Sequence, residues 1–130
     1  MRRRTGSVRA IALLAACAML LIFPSAALAD AQAGKVVYDT NCLSCHGPTG
    51  KGDGPVGQAL NPRPRDFSTA DFKFDTDNDG TTGTDADLDS VIAKGGSAFG
   101  GSPLMAPWAH LPEKDRQNVI AYIRTLKVSE

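Results

Sequence analysis

The residues with the most specific chemistry in this sequence are two cysteines followed by a histidine, in the order Cys42-Leu43-Ser44-Cys45-His46. A C-x-x-C-H spacing is a signature of haem attachment. Two thiols three positions apart project from nearly the same side of a helical turn, so they can form thioether bonds to two vinyl groups on one edge of a porphyrin. The adjacent histidine is then carried under the ring, where an imidazole nitrogen can bind the iron. The motif predicts one covalent haem c, attached through Cys42 and Cys45, with His46 as an axial ligand.

Three other kinds of site use similar residues. A thioredoxin-type C-x-x-C pair belongs in a βαβ unit, and no strand-rich pattern surrounds this pair. A structural zinc ion normally has four ligands, of which two would here be the adjacent Cys45 and His46, an awkward pair. After residue 29 the remaining cysteines and histidines are Cys42 and His110. A plain disulfide would leave the motif histidine without a role, so haem attachment is the preferred interpretation.

A single methionine follows residue 29, and it is the candidate for the second axial ligand. Met105 lies between Pro103 and Pro107, which stiffen the loop by fixing φ. Met/His ligation raises the reduction potential and fills both axial positions, so the iron can change charge but not easily do bond chemistry. A lone methionine more often packs in a core, but the flanking prolines and the upstream motif favour ligation here. His110 is the main competitor for this position.

A proline-rich segment over residues 61–67 is predicted to be extended, because residues before proline avoid the α region. Its Arg63 and Arg65 suit the haem propionates, since guanidinium groups bind carboxylates well, although exposed loop arginines are an equal alternative. Trp108 is a further candidate for the haem pocket. A proline carbonyl is expected to accept a hydrogen bond from His46 and so orient its ring; the candidates are Pro55, Pro62 and Pro64.

An acidic stretch resembles half of a calcium loop. Asp75, Asp77 and Asp79, followed by Gly80, match positions 1, 3, 5 and 6 of an EF-hand loop. Position 12 is Ala86, where a bidentate glutamate is expected. The sequence therefore leaves two alternatives, a weak calcium site and a solvated acidic turn.

Three helices and long loops must position these residues. The sequence predicts a first helix over residues 31–45 and a second that follows a capping box at Thr84–Asp87 and ends at Gly95. A last helix should begin near Pro112, a residue suited to the first helical position. Its apolar stripe consists of Val119, Ile120, Ile123 and Leu126. No convincing strand and no internal repeat interrupts this order.

The first 29 residues are typical of a secretory signal peptide, with arginines in residues 2–9, an apolar run over residues 11–23 and small residues ending at Ala29. An uncleaved anchor is the alternative, but the run is shorter than the ~20 residues that span a bilayer. Cys17 follows a sequence that resembles a lipoprotein box. The apolar run continues past it, so an inert cysteine is preferred. We expect export to the periplasm or another exported location, with residues 30–130 as one haem domain and no membrane span after cleavage.

The charge of that domain constrains its partners. Residues 1–29 hold four of the 14 basic residues and no acid, which leaves 10 basic and 14 acidic residues and a formal charge of −4. An acidic domain argues against nucleic acid as a partner. It favours redox partner proteins with a basic docking surface.

Together these residues resemble the class I cytochrome c family over residues 31–127. The shared elements are Gly34 and Tyr38 in the first helix, the haem motif, Met105 before Ala-Pro-Trp, and the terminal helix over residues 121–126. The resemblance implies an all-α, cytochrome c-like fold of three to four short helices and long loops wrapped round one haem. It also implies that the first and last helices cross, that Cys42 and Cys45 attach the haem, and that His46 and Met105 bind its iron.

The first functional hypothesis is an electron carrier and not an enzyme. The main alternative is a haem-bearing subunit of a larger oxidoreductase complex. A haem sensor or small peroxidase with an open iron site is less favoured. No Ser/His/Asp or paired-acid arrangement in the sequence argues for independent catalysis.

Overall fold

The computed structural model describes residues 28–129. The predicted signal peptide, with Cys17, falls almost wholly on residues 1–27, which lie outside the described residues, as does Glu130. In the described part, no helix is long and apolar enough to cross a membrane.

Four α-helices and two short 3-10 helices make up the regular structure of residues 28–129, with no strand among them. The α-helices are α1 (Ala31–Asn41), α2 (Leu43–His46), α3 (Asp85–Lys94) and α4 (Glu113–Thr125). The 3-10 helices are Gly57–Ala59 and Gly96–Phe99. This confirms the all-α prediction, with most of the remaining residues in loops.

The first and last helices cross at Gly34, as the resemblance implied. A Cβ atom on Gly34 would lie 1.8 Å from the Asn118 carbonyl oxygen, so only glycine allows this approach. Four residues later the fully buried Tyr38 packs edge-on against Tyr122 of α4, with 5.0 Å between the ring centroids. The crossing forms the base of a core of seven buried side chains: Tyr38, Phe67, Leu88, Ile92, Val119, Ile120 and Ile123.

The prediction of one helix over residues 31–45 is wrong in its continuity. α1 ends at Asn41 and α2 begins at Leu43, because Cys42 has a φ of −115°, about 50° from the α-helical value. The backbone hydrogen bonds continue across the junction, since the Cys42 N–H donates to the Tyr38 carbonyl and the His46 N–H donates to the Cys42 carbonyl. The haem motif therefore spans a junction between two helices.

α3 begins and ends as the sequence predicts. Thr84 and Asp87 form the capping box, and Gly95 closes the helix. α4 begins at Glu113, with Pro112 as its N-cap, one residue from the position predicted for the proline. Two ion pairs join α3 to α4, Asp85 with Arg124 and Asp89 with Arg116.

Candidate haem site

A cavity of about 510 Å³ lies between α3 and the long loops, within the ~300–1,000 Å³ range of cofactor pockets. Its wall includes every residue that the sequence assigned to haem binding: Cys42, Cys45, His46, Arg63, Arg65, Met105 and Trp108. The structure thus brings together two thiols, an imidazole and a thioether from segments far apart in the chain.

The rest of the cavity wall is largely apolar. It includes the side chains of Leu60, Phe67, Phe72, Leu88, Val91, Ile92, Leu104 and Ile123. An apolar macrocycle in the cavity would remove this surface from water. Each Å² of apolar surface buried in this way stabilises the complex by about 25 cal/mol. The donor set and the apolar wall both fit a haem c, with the thiols as attachment points and His46 and Met105 as candidate iron ligands.

The His46 ring is oriented by a backbone carbonyl and an aromatic ring. Its Nδ1 lies 3.3 Å from the Arg65 carbonyl oxygen, and the Phe67 ring stacks on it at 4.4 Å with an interplanar angle of 15°. A bond at Nδ1 leaves Nε2 as the nitrogen available to a metal. Burial lowers the pKa of His46, and the bond to the Arg65 carbonyl opposes that shift. Low basicity favours the neutral imidazole that binds metals.

The expectation that a proline carbonyl orients His46 is wrong. The Phe67 N–H donates to the Gly50 carbonyl at 2.7 Å, which fixes the extended segment (residues 61–67) beside the glycine-rich loop (residues 47–57). In this arrangement the Pro64 carbonyl oxygen faces Gly52, where a Cβ would lie only 2.3 Å from it. The next carbonyl along the chain, that of Arg65, is therefore the one that faces the histidine.

The two cysteines lie on the cavity wall and are not joined to each other. Burial raises the pKa of the Cys42 thiol to about 11, and the neighbouring Cys45 adds to the shift. A protonated thiol is a poor nucleophile, which argues against a thioredoxin-type redox pair. In residues 28–129, the group of metal-binding side chains that lie close together is acidic and does not contain the motif, so the zinc alternative gains no support either.

The methionine segment, residues 105–111, is held by backbone bonds to the end of α3. The Met105 carbonyl accepts a hydrogen bond from the Gly96 N–H at 2.9 Å, and the Trp108 N–H donates to the Ile92 carbonyl at 2.8 Å. Met105 is half-buried on the cavity wall, whereas His110 is exposed and is not among the cavity residues. The geometry favours Met105 over His110 as the second ligand.

The acidic loop has a different arrangement from the predicted one. Carboxylate oxygens of Asp75, Asp77 and Asp87 lie within 4.8 Å of one another, and Asp79 is not in this group. Asp75 accepts backbone N–H groups of Asp79 and Gly80. These bonds join the side chain of Asp75 to the backbone of its own turn. Calcium binding by the loop stays a prediction.

Asp87 is buried, with 1% of its surface exposed, and the sequence indicated only its capping role. Its carboxylate accepts hydrogen bonds from the backbone N–H and hydroxyl groups of both Thr76 and Thr84. These bonds, those of Thr76 first, lower the pKa of Asp87 to about 2 against the opposing effect of burial. One carboxylate therefore joins the acidic loop to the first turn of α3.

Two further functional contacts were not predicted from the sequence. Phe67 stacks on His46, and Arg116 bridges α4 to the end of the methionine segment. A phenylalanine in a loop and an arginine on an amphipathic helix have no distinctive spacing. Their roles depend on the tertiary structure alone.

Known proteins resemble this chain in sequence and in structure. The family model of cytochrome c matches residues 31–127. Cytochrome c-554(547) of Halothiobacillus neapolitanus is 36% identical over 99 residues, which cover 75% of this chain and 98% of that protein. A chain of the Kuenenia stuttgartiensis reducing HAO-like protein complex superimposes with a TM-score of 0.64 and 33% identity over 75% of this chain. The similarity covers 43% of that solved chain, so this chain matches less than half of its length.

The family match covers nearly all of the described residues, including the cavity and the four helices around it. It includes the cysteine pair and the histidine that carry the chemistry of haem attachment. The alignment with the cytochrome of Halothiobacillus neapolitanus covers almost the whole length of that protein. This chain belongs to the cytochrome c family, as an electron carrier with covalently bound haem c and not as an enzyme.

Proposed function

We propose that this chain is an exported single-haem electron carrier whose iron is held between His46 and Met105. The observation that carries the proposal is the cavity wall, where the imidazole, the thioether and both thiols meet. Cys42 and Cys45 would form the thioether bonds to the haem. Bound haem supplies an iron that alternates between the ferrous and ferric states.

The tasks of the protein's own residues follow from their contacts. The Arg65 carbonyl holds the His46 ring in one orientation through Nδ1. Met105, fixed by the Gly96 N–H, would occupy the other axial position and deny it to oxygen or substrate. The apolar wall excludes water, and a low dielectric environment adjusts the potential of the iron. A site with both axial positions filled suits electron transfer and not bond chemistry.

We expect the redox partner to carry a basic surface. Of the acids in residues 71–89, Asp71, Asp85 and Asp89 pair with Lys73, Arg124 and Arg116. The salt bridges of the described residues do not include Asp75, Asp77 or Asp79, of which the last two are exposed. Exposed charges of one sign steer a complementary partner within a Debye length of ~8 Å at physiological salt.

A second candidate function is a haem-bearing subunit of a larger oxidoreductase assembly. It is favoured by the similarity to part of a chain in the reducing HAO-like protein complex. The two functions share the same haem site and differ in whether the protein stays attached to a catalytic partner. Stable co-purification with such a partner from the native host would favour the second.

The proposed ligands can be tested by optical spectroscopy of protein produced with the haem-attachment machinery. The oxidised wild type should show the methionine–iron band at the red end of the spectrum, and the reduced protein should not readily bind carbon monoxide. Met105→Ala should lose the band and bind carbon monoxide, because an axial position becomes open. His110→Ala is the matched control and should behave as the wild type. A band that survives in Met105→Ala, or disappears in His110→Ala, would contradict the ligand assignment.

A further inference from the structure

We propose that Arg116 is a positioning residue for Met105, because it fastens the end of the methionine segment to the middle of α3. The proposal rests on the proposed ligation of the iron by Met105. In this proposal, a side chain outside the cavity controls how often the thioether leaves the metal.

Arg116 makes three charge-assisted hydrogen bonds from a mostly buried position. Its Nε and Nη2 donate to the two carboxylate oxygens of Asp89 at 2.7 and 3.3 Å, and its Nη1 donates to the Leu111 carbonyl at 2.8 Å. The Arg116 side chain is 15% exposed and that of Asp89 is 32% exposed. A partly buried bidentate pair fixes its geometry more strongly than a surface ion pair does.

The bond to Leu111 completes a chain of contacts that leads back to the methionine. The Leu111 N–H donates to the Trp108 carbonyl at 3.0 Å, and the Trp108 N–H donates to the Ile92 carbonyl. At the other end of the segment, the Gly96 N–H donates to the Met105 carbonyl. The methionine segment is thus attached at three points to α3 and the residues after it: to Asp89 through Arg116, to Ile92 and to Gly96. Arg116 provides the one among these that uses a charged side chain.

A second ion pair between the same two helices provides a matched comparison. Asp85 and Asp89 lie four residues apart on α3, and Asp85 pairs with Arg124 of α4. This pair is more exposed, at 76% for Asp85 and 36% for Arg124, and the other bond of Arg124 goes to the Gly83 carbonyl, before α3. It ties α3 to α4 without touching the methionine segment. A general loss of helix packing and a specific loss of methionine positioning can therefore be separated.

Competition by an added ligand measures how often the methionine leaves the iron. Imidazole can bind ferric iron only in molecules whose thioether has dissociated, so its apparent affinity is the intrinsic affinity multiplied by that fraction. A looser methionine segment raises this fraction. The apparent affinity for imidazole must then rise, while the intrinsic affinity of the exposed iron stays the same.

The experiment titrates oxidised, haem-loaded proteins with imidazole and follows the methionine–iron band. Asp89→Asn keeps the shape of the side chain but removes its charge, and Arg116→Met removes the bonds to both Asp89 and Leu111. We expect imidazole to bind each variant about tenfold more tightly than the wild type, the effect of weakening one charge-assisted contact. Arg116→Lys, which keeps the ion pair without the forked geometry, should lie between them and the wild type. Asp85→Asn should stay within about twofold of the wild type, as expected for an exposed pair.

Urea unfolding of the same proteins distinguishes positioning from general stability. Equal imidazole affinities in the wild type, Asp89→Asn and Arg116→Lys, despite lower unfolding midpoints, would overturn the proposal. If Arg116→Met does not accumulate as folded haem protein, the isosteric Asp89→Asn decides the outcome. A wild type that lacks the methionine–iron band would refute the proposed ligation and this inference together. A wild type that shows the band, with unchanged affinities in the variants, would refute this inference alone.

Discussion

The two sides of the cavity are held in place by different kinds of contact. On the histidine side, His46 follows Cys45 directly, and its backbone N–H bonds to the Cys42 carbonyl at 2.9 Å within the same turn. On the methionine side, Met105 reaches the cavity from a loop fixed to α3 by backbone bonds and to α4 by Arg116. The backbone of the histidine is positioned by its own short segment and its ring by the Arg65 carbonyl and Phe67, whereas the methionine depends on the packing of α3 and α4.

This difference implies that the two candidate ligands are not equally labile. The methionine loop is fixed by a few hydrogen bonds, and such a loop opens at a lower free energy than the cooperative core does. The histidine side also shares its helix junction with both candidate attachment points, Cys42 and Cys45. We therefore expect the methionine side to respond first when α3 is perturbed and the histidine side to respond mainly when the core is disrupted.

The largest effect on the free energy of unfolding is expected from Gly52→Ala, which perturbs the histidine side. Gly52 has a φ of +72°, and a Cβ would lie 2.3 Å from the Pro64 carbonyl oxygen, next to the carbonyl that orients His46. Left-handed strain and the clash together should lower the free energy of unfolding by about 3 kcal/mol or more. Urea unfolding of the haem-loaded protein measures this loss.

Gly100→Ala is the matched control for that substitution. Its φ of +77° gives a similar backbone strain, but no atom lies within 4 Å of the Cβ position. The loss should be limited to the strain, about 1–2 kcal/mol. Equal losses in the two variants would mean that the close approach to Pro64 does not support the histidine side.

An intermediate effect on the free energy of unfolding is expected from Asp87→Asn, which perturbs the methionine side through α3. The pKa of Asp87 is about 2, below its ordinary value of 3.8, so the ionised carboxylate stabilises the folded state. That contribution is complete above about pH 4 and is lost as the pH falls through about 2. The substitution should therefore lower the free energy of unfolding by about 2 kcal/mol at pH 7. This difference in stability from the wild type should shrink as the pH falls from 4 to 2.

The measurement for Asp87→Asn is urea unfolding at a series of pH values, with the methionine–iron band recorded in parallel. The band should weaken at lower urea concentrations than those that unfold the helices, because α3 carries the methionine segment. Asp85→Asn is the control, in the same first turn of α3 but exposed, and should lower the free energy of unfolding by less than about 1 kcal/mol. A pH-independent loss in Asp87→Asn would show that packing, and not charge, explains its contribution.

The same division between local and tertiary contacts explains what could be predicted from the sequence. The C-x-x-C-H motif, the capping box at Thr84–Asp87 and the end of α3 at Gly95 depend on neighbouring residues, and the structure has all three. The break at Cys42 and the choice of the Arg65 carbonyl depend on how the glycine-rich loop and the extended segment meet. Residue types carry no information on which carbonyl of an extended segment faces a distant ring.

Met105 lies between these two cases. Its identity as the candidate ligand followed from its flanking prolines and from the absence of another methionine after residue 29. The contacts that hold it could not be predicted, because Arg116 and Asp89 belong to different helices with ordinary amphipathic patterns. A ligand can thus be identified from composition while the means of its positioning stays hidden until the helices are packed.

The smallest effect is expected from Tyr38→Phe, which separates the two sides most cleanly. The Tyr38 hydroxyl donates to the carbonyl of Gly47, the residue after His46, at 2.7 Å in a fully buried position. Its loss leaves that carbonyl with only the longer bond from the Gly50 N–H, at 3.2 Å, and should lower the free energy of unfolding by about 1 kcal/mol. Because the hydrogen bond that is lost lies on the histidine side, the methionine–iron band and the imidazole affinity should not change. Tyr122→Phe, in the ring packed against Tyr38, is the control and should have less effect on unfolding. An imidazole affinity that rises in Tyr38→Phe as it does in Asp89→Asn would mean that the two sides open together.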